Sequence, residues 1–250
     1  MTMQALLKPT ALLDFKHPTI QNLVDDHMWA SMPTYDGIGA VYDFVRNDIK
    51  FGYNRDDAIP ASQVLKDGYG QCNTKAILLM ALFRAIGVPS RLHGFTITKD
   101  LQRGVVPEIV YPIAPESIIH SWVEIYFDGK WFNLEGFILD DVYLNRLQGA
   151  FGGETNSYCG YGAGTDNLSD PKVKWVGGDT YIQNTAINQD FGVFGDPDDF
   201  YKDHRQDFSW LKGLFYSKIL RHWMNARVEA IRRGGKVSAL PFCDKSAATI

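Results

Sequence analysis

The stretch DGYGQCNTKAILLMALFRAIGVPSR, Asp67 to Arg91, decides how the rest of the chain is read. From Cys72 to Gly87 it reads as one helix, because Gly87 suits the position just past a helix end and Pro89 forbids continuation. Between Ala76 and Ile86 only Arg84 is polar. A helix that is apolar nearly all round belongs at the centre of a domain, packed on several sides. Cys72 falls where a glycine-containing loop becomes this helix. There the unpaired N–H groups and the positive end of the helix dipole favour thiolate over thiol. The same N–H groups can donate to the oxygen of a tetrahedral intermediate. Buried structural cysteines also occur at helix starts, so Cys72 needs partners before it counts as a nucleophile.

Upstream, His17 to Lys50 reads as mostly helical, with Asp36 as an N-cap and Ile38, Val41, Tyr42, Phe44, Val45 and Ile49 on one apolar face. FGYNRDDAIP, Phe51 to Pro60, is turn-rich, and a short helix is expected from Ala61 to Lys66. Downstream the period changes. Ser90 to Thr98 alternates as a strand, and IHSWVEIYF, Ile119 to Phe127, is a second one. Asp128-Gly129 then leads into KWFNLE. Lys99 to Ser117 is a long, proline-bearing connection of the kind that forms lids. Gly149 to Gly164 and Gly192 to Asp199 read as irregular surface, including the acidic GDPDDF turn. Ser209 to Arg233 reads as a closing amphipathic helix with Leu211, Leu214, Phe215, Ile219, His222, Trp223 and Ala226 on its stripe. The expected class is α+β: a central helix with Cys at its N-terminus packed on an antiparallel sheet, plus a helical N-terminal part. Residues 1–250 are read as a single domain, with a core at about 36–145 and a C-terminal extension at about 146–250.

Composition sets the outer limits. The 250 residues are 45% hydrophobic and 22% charged, enough apolar surface to exclude a disordered chain. A formal charge of −4 gives no nucleic-acid-coating surface. The longest apolar run, Ala76 to Phe83, is far short of the ~20 residues of a membrane helix. The N-terminus lacks a basic start and a long apolar segment, so a cytoplasmic location and no membrane partner are expected. Three widely spaced cysteines argue against a disulfide framework and against a CxxC metal site. No metal and no cofactor are called for: the histidines form no HExxH pattern, GDPDDF lacks EF-hand spacing, and no GxGxxG or P-loop occurs.

The hairpin can be built residue by residue. If Asp128-Gly129 is a two-residue type I′ turn, Phe127 faces Lys130, Tyr126 faces Trp131, Glu124 faces Asn133 and Trp122 faces Glu135. His120, Trp122 and Glu135 then share one face. His120 and Glu135 become diagonal neighbours with backbones roughly 7–8 Å apart. A carboxylate in that place fixes the tautomer of an imidazole and supports the imidazolium. A one-residue bulge would put the two side chains on opposite faces.

These residues resemble the transglutaminase-like superfamily, a branch of the papain-like cysteine enzymes. The resemblance runs from about Tyr42 to Asp140. It is carried by Gly70, Cys72, Arg84, Gly87, Val88, Pro89 and Arg91 in the cysteine motif, by HSWVEIYF from His120, and by GKWFNLE. Glu135 stands where that family usually has aspartate; it is one methylene longer yet still able to orient an imidazole. Asp140 and Asp141 are nearby substitutes. The resemblance implies a catalytic Cys72, His120 and Glu135.

Gln71 and the Cys72 N–H are candidate oxyanion donors, and Trp122 a candidate shield for the thiolate–imidazolium pair. Tyr69 and Trp131 are close in sequence. Cys159 and Cys243 precede no comparable helix and are set aside. The expected chemistry is a Cys72 thioester formed from an amide- or peptide-like substrate, passed to water or to an amine acceptor. The alternatives are a binding module that kept the fold and lost the chemistry, and a small-molecule acyltransferase or cyclase. A closed pocket under the Lys99–Ser117 loop or the extension would favour a small substrate, and a long groove a peptide.

Overall fold

The computed structural model describes residues 2–152, 157–206 and 210–238, the side chains of 210–212 excepted. Two helices lead, α1 (Pro18–Asp26) and α2 (Thr34–Asn47). Pro33 rather than Asp36 occupies the N-cap position of α2; Asp36 lies in the first turn, where its charge faces the positive end of the dipole. The predicted apolar face is right, with Ile38, Val41, Tyr42 and Val45 all fully buried. A two-residue strand, β1 (Lys50–Phe51), precedes α3 (Ala61–Asp67) and pairs in parallel with β2 (Tyr69–Gly70).

The central helix, α4 (Cys72–Ala85), is buried along Cys72 to Arg84. It packs on the sheet and on α1, α2 and α3, as an all-round apolar surface requires. Truncating one of its interior side chains, for example Leu79→Ala, costs about 2–5 kcal/mol. Even its polar members are tied in. Lys75 Nζ donates to Arg46 O at 3.1 Å and Ile138 O at 3.0 Å, which fastens α4 to the segment following Glu135.

The sheet contains β3 (Ser90–Thr98), β4 (Ser117–Phe127) and β5 (Lys130–Leu134), all antiparallel. Asp128 and Gly129 have φ of +49° and +80°, the left-handed pair of a type I′ turn, and the register pairs Phe127 with Lys130 and Val123 with Leu134. After it come α5 (Asp141–Phe151), a hairpin of β6 (Tyr158–Gly160) and β7 (Ala163–Thr165), and β8 (Ile187–Phe194). β8 joins β3, giving the order β5-β4-β3-β8. The chain continues through α6 (Pro197–Asp203), α7 (Trp210–Phe215) and α8 (Arg221–Arg232). The architecture is α+β.

Three further expectations from the sequence need correction. Among the described residues of Gly149–Gly164, Tyr158, Tyr161 and Ala163 are buried rather than surface, and a Cβ on Gly162 would lie 2.8 Å from the Phe51 ring. Gly192–Asp199 is no loose turn either, since it ends β8 and opens α6, whose N-cap Asp196 accepts from Asp199 N–H. In the closing helix, the predicted stripe residues Leu214, Phe215, Ile219 and Trp223 are exposed, while Met224, Val228 and Ile231 are buried. A π-turn at Tyr216–Leu220 places an extra residue in the turn and rotates α8 relative to the turns before it.

Candidate functional site

Cys72 opens α4 and is 7% exposed on the wall of a cavity of about 490 Å³. It is a free thiol. Cys159 is disulfide-bonded, contrary to the expectation from the cysteine count, and Cys243 lies outside the described residues. Behind Cys72, His120 on β4 and Glu135 just past β5 are both fully buried, with His120 Nε2 and Glu135 Oε1 2.8 Å apart. The hairpin register places them as diagonal neighbours, and the bond closes between them.

Glu135 is held from both sides. Its Oε2 accepts the N–H of Ile182 and of Gln183, each at 2.9 Å. Its own N–H donates to Thr180 O at 3.0 Å, and Thr180 Oγ1 also accepts from Gly136 N–H and the Tyr42 hydroxyl, each at 3.1 Å. The second imidazole nitrogen, Nδ1, is buried with no partner inside strict hydrogen-bond geometry. The Cys72 sulfur is nonetheless the group that acts on the ring most strongly in favour of its charge. That combination describes an approach too long or too bent for a full bond, as resting thiol–imidazole pairs often are. Burial by itself pulls the imidazolium down; Cys72 and Glu135 beside it outweigh burial and push it up to about 10.

The substitute acids are engaged elsewhere. Asp140 caps α5 through Tyr143 N–H at 3.0 Å and pairs with Arg232 at 2.6 Å, while Asp141 pairs with Arg46 at 2.6 Å. Gln71 lines the cavity, but its Oε1 accepts from Asn54 N–H and its Nε2 donates to Asp57 Oδ1 at 2.9 Å. Trp122 lies outside the cavity wall, its ring 4.1 Å from that of Phe95, which in turn is 6.4 Å from His120. Tyr69 and Trp131 are not among the wall residues either.

The Lys99–Ser117 connection and the C-terminal part of the chain roof the cavity. The connection contributes Val106, Val110 and Ile113, and the later segment Tyr201, Tyr216 and Leu220. Sequence reading missed Asp57, Tyr201 and the Thr180–Gln183 clamp. Asp57 is partly buried beside Gln71, and burial raises its carboxyl above the usual range. Tyr201 had a usable signal, because Asp196-Pro197 is a helix-start pair. The clamp had none, since its key donors are main-chain N–H groups.

Residues 21–136 match the model of the transglutaminase-like superfamily core, a span that contains Cys72, His120 and Glu135. Over that span the chain is similar to the transglutaminase-like superfamily. No curated protein matches the sequence. Among solved structures, a candidate cysteine protease from Cytophaga hutchinsonii aligns with a TM-score of 0.46 at 14% identity, over 79% of this chain and 48% of that one. The present chain therefore spans about half the length of that protein. No helix among the described residues is long and apolar enough to cross a membrane.

The matched span thus holds a thiol, an imidazole and a carboxylate in series, with the thiol at the end that meets open space. Chemically, the series can take a proton from sulfur, hold it on a ring fixed in place, and return it to a leaving group.

Proposed function

We propose that the protein is a cysteine-dependent acyl-transfer enzyme in which Cys72 attacks a compact amide and forms a thioester. His120 takes the thiol proton and then gives a proton to the departing amine, and Glu135 orients and supports the imidazolium. The Cys72 N–H faces the carbonyl oxygen, while the Gln71 amide stays with Asn54 and Asp57. Water completes hydrolysis; an amine in its place gives transamidation. The observation that carries this reading is the fully buried His120–Glu135 pair, whose remaining ring nitrogen turns to a free thiol on a cavity wall.

Cavity shape favours a small substrate over a peptide. A volume of about 490 Å³ is in the range of small-molecule sites, and aliphatic side chains dominate the part contributed by the connecting loop. An acyl group with an apolar body and one amide suits it. The core at about 36–145 and the C-terminal extension act as one functional unit, because Ile182 and Gln183 hold Glu135. Cytoplasmic placement belongs to the same proposal, since a reducing compartment keeps Cys72 a free thiol; the Cys159 disulfide weighs the other way.

The test is the pH dependence of Cys72 alkylation by iodoacetamide, followed by mass spectrometry with glutathione as the reference thiol. Rapid labelling at pH 6 that disappears in His120→Ala supports the ion pair. Labelling no faster than glutathione at any pH would leave a binding module on the same fold. A screen of small amides with wild type and Cys72→Ala then reads turnover, and added amines report whether water is the acceptor.

A further inference from the structure

Most polar side chains on the cavity wall are committed to one another. The Tyr53 hydroxyl donates to Gln102, Asn73 Nδ2 donates to Ile119 O at 3.0 Å, and the Tyr216 hydroxyl donates to Asn54 O at 3.2 Å. Gln71 Nε2 is directed at Asp57. Tyr201 differs from these. It projects from α6 into the same wall and is 3% exposed, yet its hydroxyl makes no hydrogen bond of full geometry, only an approach to Ser121. Burying an unpaired hydroxyl is unfavourable. Native structures rarely keep such a group without a use for it.

The surroundings of this hydroxyl indicate the use. Burial raises the phenol well above its ordinary value, which keeps it an O–H donor throughout the working pH range. The polar groups that act on it are Asp57, Cys72, Ser121 and Asp56. Ser121 turns its own proton to Asn73 Oδ1 at 2.9 Å, so it offers only an off-line acceptor. A committed donor with no acceptor in full hydrogen-bond geometry, on the wall that carries the nucleophile, matches what a developing oxyanion needs. The Cys72 N–H, one of the first amides of α4 and therefore without an intrahelical acceptor, supplies a second donor.

We infer that the Tyr201 hydroxyl donates a hydrogen bond to the oxyanion formed when Cys72 attacks an acyl carbon. This rests on the acyl-transfer reading above. As the sulfur–carbon bond forms, the carbonyl π pair moves onto oxygen, and Tyr201 stabilises that charge while keeping its proton. Collapse returns the pair to carbon and breaks the carbon–nitrogen bond; the amine leaves with the bonding pair and takes its proton from His120. The segment after the core then provides both the clamp on the acid and a donor to the transition state.

Two reagents separate this role from a structural one. p-Nitrophenyl acetate needs an oxyanion donor but no general acid, because p-nitrophenolate leaves without a proton. Iodoacetamide loses iodide from a saturated carbon and forms no oxyanion. In Tyr201→Phe the rate of Cys72 acylation, read as the p-nitrophenolate burst and confirmed by intact mass, should fall about 100-fold or more. Alkylation of Cys72 should be unchanged, which also shows that the site is folded. Acylation at the wild-type rate would overturn the assignment. A parallel loss of acylation and alkylation would overturn it too, by placing Tyr201 in the support of the fold or of the thiolate. Wild-type protein that is alkylated rapidly but never acylated would instead defeat the acyl-transfer reading, and this assignment with it.

Discussion

His120 and Glu135 meet at 2.8 Å with neither side chain exposed, and the far oxygen of Glu135 is pinned by two main-chain N–H groups. The carboxylate therefore has one orientation available, with Oε1 on the imidazole. In Glu135→Gln the amide carbonyl should keep the Ile182 and Gln183 N–H bonds, which turns the amide N–H towards His120 Nε2. That nitrogen must then accept, and the imidazolium loses its counter-charge. Acylation of Cys72 should fall about 10²–10⁴-fold, as when a triad acid becomes an amide elsewhere. A wild-type burst rate in this variant would remove Glu135 from the mechanism.

The same pair sets the pH behaviour. The folded His120 value lies at about 10, above the ~6.5 of an unfolded histidine. A raised value means that the charged pair stabilises the fold fully below pH ~6.5 and loses that contribution as pH rises through about 10. Amide turnover, which needs the imidazolium to protonate the leaving amine, should decline on an alkaline limb near that value. Glu135→Gln should move the limb towards neutrality. A wild-type limb near pH ~6.5 would show that Cys72 and Glu135 do not hold the charge on the ring.

Thr180 acts one step further out. Its Oγ1 accepts from Glu135 N–H at 3.2 Å, Gly136 N–H at 3.1 Å and the Tyr42 hydroxyl at 3.1 Å. Thr180→Val keeps the shape and removes the acceptor, so a buried donor is stranded at a cost of about 1–3 kcal/mol. Denaturant melts should register that loss. The alkaline limb should move less than in Glu135→Gln, because the Ile182 and Gln183 bonds remain.

Asp140 makes the complementary case. It pairs with Arg232 at 2.6 Å and accepts from Phe51 N–H at 2.9 Å, and although burial opposes ionisation, these partners hold its carboxyl below the usual range. Its contribution to stability is thus present above pH ~3.9 and lost as pH falls through its lower folded value. Asp140→Asn breaks a buried pair and should cost about 3–5 kcal/mol. Cys72 alkylation in the folded fraction should keep its wild-type pH profile, which it would not do if Asp140 were the orienting acid.

The features legible in the sequence were those that depend on neighbours along the chain. Asp128-Gly129 dictated the hairpin register, and that register by itself brings Glu135 to His120. The run from Ala76 to Ile86 announced a central helix, and all of Cys72 to Arg84 is buried. The features that escaped were set by distant partners or by a local break in period. Ile182 and Gln183 reach Glu135 with main-chain N–H groups, which any sequence possesses. The glycines near Tyr161 read as loose surface, yet Gly162 is small because Phe51 packs against it. In the closing helix, a π-turn breaks the period at Tyr216–Leu220, and Leu214, Phe215, Ile219 and Trp223 of the assigned stripe face outward on both sides of that break.

The cavity itself can be tested through Ala114. It lies on the wall within the Lys99–Ser117 connection, opposite in chain position to the C-terminal residues Tyr216 and Leu220 that close the other part of the roof. Ala114→Trp introduces an indole into a space of about 490 Å³ and leaves Cys72, His120 and Glu135 themselves unaltered. If that space receives the acyl group, octanoyl esters should lose at least ~10-fold in rate relative to acetyl esters, since pocket discrimination by size runs from about 10-fold upward. Alkylation by iodoacetamide, a reagent small enough to need little of the cavity, should stay near the wild-type rate. An unchanged octanoyl-to-acetyl ratio would mean that the acyl group approaches Cys72 from elsewhere, and that the roof formed by the connection serves the fold alone.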